Sequence, residues 1–445
     1  MSMLRTILFG LLAAAPLAGA AEVAEFTLKN GLKVLVKPDH RAPVVVSQVW
    51  YKVGSSDEHN GITGLSHMLE HMMFKGTDEL GPGEFSRIIA ENGGRENAAT
   101  SFDYTWYFQT IAADRLPLVL RLEADRMRDL RLNEAEFVKE RAVVAEERRM
   151  RIEDNPDGRL YELLHATAFV NNPYRHLPIG YASDIEHYTL DDLRDWYRRF
   201  YAPNNAVLVV AGDVEPAAVR RLAEKHFGPI AARPPVPRKP RREAPQSGPK
   251  RVVLRAPART ARVAVAFKAP SLTGAEAADA PALAVLAALW AGSDAGRLRR
   301  RLLRERPVAS EVSVDYDPVA RHDTLFTVAA EALQGVDAAE LERAVLEAVA
   351  AALAEPVPPE ALARIKTQLR AEDVYARDSV YYQAMLLGRF EIVGLGWRQW
   401  SAYRDALEAV DAETLRAAAA RHLVEDRRTV AVLEPRAVDS GEVQR

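Results

Sequence analysis

The sequence predicts an α+β protein built from two homologous domains, each an antiparallel sheet with helices packed on one side. Three observations lead there. At 445 residues the chain is too long for one average core, and length implies two or three domains. A Pro- and Arg-rich stretch over 229–250, PIAARPPVPRKPRREAPQSGPK, has almost no apolar periodicity and reads as an extended linker dividing the chain nearly in half. The order of elements then recurs. APVVVSQVWYKVGS (42–55) and TARVAVAFKAPS (260–271) are both strand-like, and DDLRDWYRRFYAPNNAVLVVAGDV (191–214) and ETLRAAAARHLVEDRRTVAVLEP (413–435) are both helices running into strands.

In chain order, residues 1–21 carry Arg5, an apolar run from Ile7 to Leu17 and the small residues Ala18, Gly19 and Ala20. That order is that of a secretory signal peptide cleaved near Ala20 or Ala21, which places the mature chain in the periplasm or outside the cell. A mitochondrial presequence fits less well, being Arg-rich and amphipathic. No later stretch reaches the roughly 18 apolar residues of a membrane span. Residues 22–228 are expected to form the first domain, 251–436 the second, and 437–445 a disordered tail. The basic cluster Arg238, Lys239, Arg241 and Arg242 in the linker reads as a solvated tether.

Composition narrows the function. An apolar fraction of 48% with 27% charged residues excludes general disorder. With 59 basic against 62 acidic residues and a formal charge of −3, nothing points to nucleic acid as a partner. The absence of cysteine excludes disulfides, thiolate ligands and a Cys-linked lipid anchor.

The informative segment is ITGLSHMLEHMMF, where Leu65, Met68, Leu69, Met72 and Met73 mark a helical face. Residues i and i+4 of a helix share a face, so His67 and His71 can aim their imidazoles at one point, an arrangement that leaves two corners of a zinc tetrahedron free. Glu70 falls close to that face without being aimed at the same point, which suits a general base. A second helix starts near LNEAEFVKERAVVAEERRM, with Asn133 as N-cap and Glu136 three residues on, and ends before Pro156. Its carboxylates Glu140, Glu146 and Glu147 compete for the third ligand position. Seven residues turn a helix by about 700°, so Glu140 and Glu147 share a face from which Glu146 departs by roughly 100°. Glu147 is taken as the ligand and Glu140 as its support.

HMLEH is the inverted zinc-peptidase motif H-x-x-E-H, and ERAVVAEE (140–147) resembles the E-R-x-x-V-x-x-E segment of the pitrilysin and mitochondrial processing peptidase family. NGLKVLV (30–36), GITGLSHMLEHMMFKGT (61–77), NGGRENAATSFDYTWY (92–107) and YAPNNAVLVVAGDV (201–214) are similar as well. The resemblance implies one Zn2+ per chain held by His67, His71 and Glu147, with Glu70 as general base; Glu140, placed by its helical phase, is grouped with Glu70 among the catalytic residues. It implies that this chain is one half of a clam-shell that closes over a peptide. The segment Glu96–Thr100 would be an edge strand in which Asn97, Ala98 and Ala99 bind the substrate backbone, a mode that discriminates little between side chains.

One departure stands out. Active relatives carry an Arg and, six or seven residues later, a Tyr in the second half. LLRERPVASEVSVDY offers Arg304 as a substrate-binding residue, but Ser310 and Glu311 stand where the Tyr is expected, and Tyr316 is too far along. A homologous partner subunit supplying that pair is therefore expected, with a homodimer as the alternative. The remaining basic residues of 297–306 read as a solvated helix face. The function implied is an exported zinc endopeptidase. The competing readings are a non-catalytic structural or assembly subunit that retains the metal site, and a plain zinc-binding or carrier protein.

Overall fold

Two sheets, one per half of the chain, carry the architecture of the computed structural model, which describes residues 23–436; the expected signal peptide and tail lie outside the described residues. The first sheet contains β1 (Ala24–Thr27), β2 (Lys33–Pro38), β3 (Val44–Tyr51), β4 (Arg95–Thr100), β5 (Thr105–Ala112) and β6 (Ala206–Gly212), in the order β1-β2-β6-β3-β5-β4. The second contains β7 (Lys250–Pro257), β8 (Arg262–Ala269), β9 (Ala309–Tyr316), β10 (Thr324–Ala332) and β11 (Arg428–Arg436), in the order β7-β11-β8-β10-β9. Apart from β1 the two orders superpose strand for strand. Each sheet is antiparallel except for one parallel pair, β2–β6 in the first and β7–β11 in the second. The exception has a simple cause: β6 and β11 enter their sheets after long helical stretches of their own half, and such a crossover permits parallel pairing.

Composition explains the placement of strands. β6, AVLVVAG, is buried along its whole length, as a central strand covered on both faces should be. β5, TWYFQTIA, alternates buried and partly exposed residues. On one face of the first sheet the helices Leu65–Met72, Glu84–Glu91, Leu116–Arg128 and Leu190–Phe200 close a core that includes Val49, Met68, Leu120 and Phe200. A corresponding core in the second half packs Leu283, Leu341 and Leu415 on Val265 and Phe326.

The opposite faces are covered by exchange between the halves. The helix Pro156–Ala168 lays Leu160 and Leu164 on Leu254, Ala266 and Leu433 of the second sheet. The helix Val380–Ile392 lays Ala384, Leu387 and Phe390 on Trp50, Val207 and Val209 of the first. The second contact is close enough to require glycine: a Cβ at Gly388 would fall 2.2 Å from Nε1 of Trp50. The spatial boundary between the halves therefore differs from the sequence boundary at the linker.

A charged junction fastens the halves. Arg321, on the turn between β9 and β10, packs its side chain against the first half, its Nε 3.0 Å from Asp103 Oδ1 and its Nη2 2.9 Å from both Asp57 Oδ2 and Ser56 Oγ. The Pro/Arg segment joins the same place. It has no helix or strand before Lys250, but Arg238 donates to Asp57 Oδ1 at 2.6 Å and Arg241 to Ser56 O at 3.1 Å. Glu243 in turn receives the backbone N–H groups of Val170, Asn171 and Asn172. Thus Arg238 and Arg241 strap the chain down, unlike the solvated tether expected from composition, because the backbone carbonyls and buried Asp57 supply acceptors that linker composition does not reveal.

Candidate metal centre

The H-x-x-E-H segment begins its helix at Leu65, after Gly64 at φ 87°, a left-handed conformation natural to glycine. The helix N-terminus is held by a buried carboxylate. Glu58 accepts the Gly64 N–H at 2.7 Å and the Ser66 N–H at 2.7 Å, satisfying donors that the helix itself leaves free. Burial is the main influence on this carboxyl, and despite the two N–H donors its pKa is pushed up from 4.5 to about 7. Its folded value lies above its unfolded one, so the native state binds the proton more tightly. The stability it contributes is present below about pH 4.5 and lost as pH rises through about 7. Urea unfolding between pH 5 and 8 should therefore show a decline on the order of 2 kcal/mol in the parent chain that is absent from Glu58→Gln. Equal slopes in the two proteins would contradict this role.

The helix Glu134–Arg148 lies alongside, with the Asn133 side chain accepting the Glu136 N–H as expected of an N-cap, and runs on as a π-helical turn over Arg149–Glu153. Glu147 thereby reaches both histidines: its Oε1 is 3.7 Å from His67 Nε2, and its Oε2 is 3.3 Å from His71 Nε2. The two imidazole rings lie 4.7 Å apart. Tetrahedral zinc with ligands at about 2 Å has donor–donor edges of about 3.3 Å, close to these separations. The donor set of two imidazoles and one carboxylate is also that of hydrolytic zinc sites. His67, His71 and Glu147 form the one group of three or more potential ligand residues found among the described residues with donor atoms within 4.8 Å of one another.

Neighbouring groups orient these side chains. His71 Nδ1 is 3.0 Å from Glu140 Oε1, and Glu140 Oε2 is 2.6 Å from Lys75 Nζ. This chain of contacts directs His71 Nε2 toward Glu147. Arg151 lies 2.8 Å from Glu147 Oε1, while His67 Nδ1 is buried without a protein partner among the described residues. Glu70 is buried beside the pair and accepts a hydrogen bond from Thr100 Oγ1 at 2.6 Å.

The electrostatics follow from these contacts. For His71, burial would lower the pKa, but contacts with Glu140 and Glu147 outweigh it and raise it to about 9. Burial, joined by the neighbouring His71, lowers His67 to about 4. Burial also raises Glu70 against the Thr100 hydrogen bond, whereas the contact with His71 lowers Glu147. A buried carboxyl with a raised pKa beside a metal site has the character of a proton acceptor and donor.

The other residues singled out from sequence fall in two places. Asn97, Ala98 and Ala99 lie on β4, which pairs with β5 on one side and leaves the first sheet with a free edge. Arg304 lies in the second half on a turn of π-helix, exposed and without an ion pair among the described residues. Ser310 and Glu311 are exposed at the start of β9. Arg297, read from sequence as solvated, is instead buried and donates to the carbonyls of Ala352, Glu355 and Pro356. Those carbonyls end a helix and need donors, a demand that the local charge run does not disclose.

Sequence reasoning missed Glu58, Lys75, Thr100 and Arg151. Signals existed for two of them, since Lys75 and Arg151 each lie four residues beyond a candidate ligand, His71 and Glu147. Thr100 acts through a tertiary contact, and Glu58 caps the helix from across a turn that no helical or strand spacing marks.

Fold and site together define a two-domain α+β protein with a candidate metal site of two histidines and one carboxylate. Comparison with known proteins is in agreement. A sequence profile described as Insulinase (Peptidase family M16) matches residues 33–178, and one described as Peptidase M16 inactive domain matches residues 187–369. The zinc protease PqqE of Helicobacter pylori is 36% identical over 332 residues, which are 71% of this chain and 73% of that protein. The crystal structure of a protease from Helicobacter pylori superposes with a TM-score of 0.90 at 30% identity, covering 94% of this chain and 100% of that one. The periplasmic protease PqqL of Escherichia coli shares the fold at a TM-score of 0.78 and 17% identity, over 97% of this chain and 50% of that chain. The chain belongs to peptidase family M16, the insulinase family.

Proposed function

We propose that this chain is an exported zinc-dependent endopeptidase that hydrolyses peptides or unfolded segments within a dimeric chamber. The observation that carries the reading is the meeting of His67, His71 and Glu147 next to a buried Glu70, with a free strand edge beside them. Zinc held by those three side chains supplies a Lewis acid that acidifies water and polarises a carbonyl. Glu70 accepts the proton of the attacking water as the new C–O bond forms, and returns it to the amine nitrogen as the C–N bond breaks. The edge of β4, through the backbone of Asn97, Ala98 and Ala99, aligns an extended peptide by strand addition. Glu140 and Lys75 keep His71 oriented.

A homologous subunit completes the chamber and supplies the Arg/Tyr pair that Arg304, Ser310 and Glu311 do not reproduce. The apolar run from Ile7 to Leu17 directs export. Among the described residues no helix is long and apolar enough to cross a membrane.

The second reading, a non-catalytic subunit that retains the metal, draws on the missing Tyr. A quenched-peptide assay separates the two. Hydrolysis by the chain, alone or with a homologous partner, should fall to background after chelation and return with about one equivalent of zinc per chain. Hydrolysis indifferent to chelation would overturn the zinc-peptidase reading. Metal binding with no hydrolysis in any pairing would favour the structural subunit.

A further inference from the structure

We infer that Thr100 is a positioning residue for Glu70, tying the aim of the general base to the strand on which the peptide lies; this rests on the peptidase reading above. Side chains alternate along β4, and Ala98 turns toward the core formed with the His-bearing helix. Thr100, two residues on, shares that face. Its Oγ1 reaches Glu70 Oε2 at 2.6 Å, the short distance of a hydroxyl donating to a carboxylate.

The donor has little competition. The alternative acceptor, Thr105 Oγ1, is 3.5 Å away and gives its own proton to Val53 O at 3.0 Å. Glu70 Oε1 has no protein partner among the described residues, so the hydroxyl fixes one oxygen and leaves the other for proton transfer.

The topology gives this hydrogen bond its consequence. β4 is paired on one side only, by β5, with Thr100 opposite Thr105 at the end of the register. A peptide added to the free edge is positioned by the backbone of the same six-residue strand that carries the hydroxyl. Carboxylate and scissile bond are thus referred to one element. A hydroxyl on a loop would allow them to drift apart, and misplacement by about 1 Å costs on the order of 100-fold in rate.

The test compares Thr100→Val, which keeps the shape and removes the donor, with Thr100→Ser, which keeps the donor. Thr100→Val should lower kcat by about 10- to 100-fold with KM changed less than about 2-fold and zinc stoichiometry unchanged; Thr100→Ser should stay within about 3-fold of the parent. A second measurement needs no activity. In urea unfolding of the metal-free chain, Thr100→Val should shift the folding equilibrium by about fivefold more in the parent than in a Glu70→Ala background.

Parental kcat in Thr100→Val, equal impairment of the Val and Ser variants, or additive unfolding effects of the Thr100 and Glu70 changes would each overturn the inference. Glu70→Gln decides the peptidase reading separately: loss of hydrolysis there with full activity in Thr100→Val would remove the role of Thr100 alone. Were no hydrolysis found in any pairing, the unfolding cycle would still decide whether Thr100 holds Glu70.

Discussion

Glu70→Gln should reduce peptide hydrolysis by about 10²- to 10⁴-fold while the chain still binds one zinc. The expected separation between chemistry and metal binding follows from the geometry. Glu147 meets the Nε2 atoms of His67 and His71 at 3.7 and 3.3 Å, and Glu70 is outside that set. A Gln side chain has nearly the same volume and can still accept the Thr100 hydroxyl through its carbonyl oxygen, so the helix should not rearrange. What it lacks is a lone pair basic enough to take a proton from water. The fall should therefore appear in kcat with KM nearly unchanged. Inductively coupled plasma analysis and steady-state kinetics on the same preparation make the comparison. A Gln variant that cleaves at the parental rate with full zinc would remove Glu70 from the chemistry.

Arg321→Met should destabilise the chain by about 3–5 kcal/mol, the cost of stranding a buried carboxylate by removing its cation. Arg321 is 9% exposed at its side chain and Asp103 5%, so the pair has little access to compensating water. The guanidinium spans two acids of the first half, Asp57 at the end of a 3-10 turn and Asp103 on the loop between β4 and β5. Asp57 retains Arg238 after the substitution, whereas the other contacts of Asp103 come from the Tyr174 and Ser56 hydroxyls and the Arg321 backbone N–H, none of them charged. A second change, Asp103→Asn, should recover a large part of the loss, because removing both charges avoids the unpaired anion. Chemical denaturation of the three variants tests this. Arg321→Met within about 0.5 kcal/mol of the parent would mean that the junction does not hold the halves together.

Much was legible locally. The i, i+4 spacing of His67 and His71 and the two-turn spacing of Glu140 and Glu147 are properties of helices, so sequence alone puts each pair on one face. The recurrence of strand and helix segments likewise announced two similar halves, and the sheet orders agree. Charge runs misled where their partners are distant. Arg297 and Arg304 stand seven residues apart in one basic stretch, yet the first is buried under three carbonyls and the second is exposed. Nothing between residues 297 and 306 reports where the carbonyls of residues 352–356 will lie.

By itself, then, the sequence determined the residue types able to hold a metal, their helical phasing and the duplicated order of elements, because those depend on neighbours within a turn or a strand. Tertiary structure alone decided that Thr100 meets Glu70 and that each half covers the other's sheet with a helix. Those contacts join residues far apart in the chain, and a side chain carries no local mark of the distant partner that folding will bring to it.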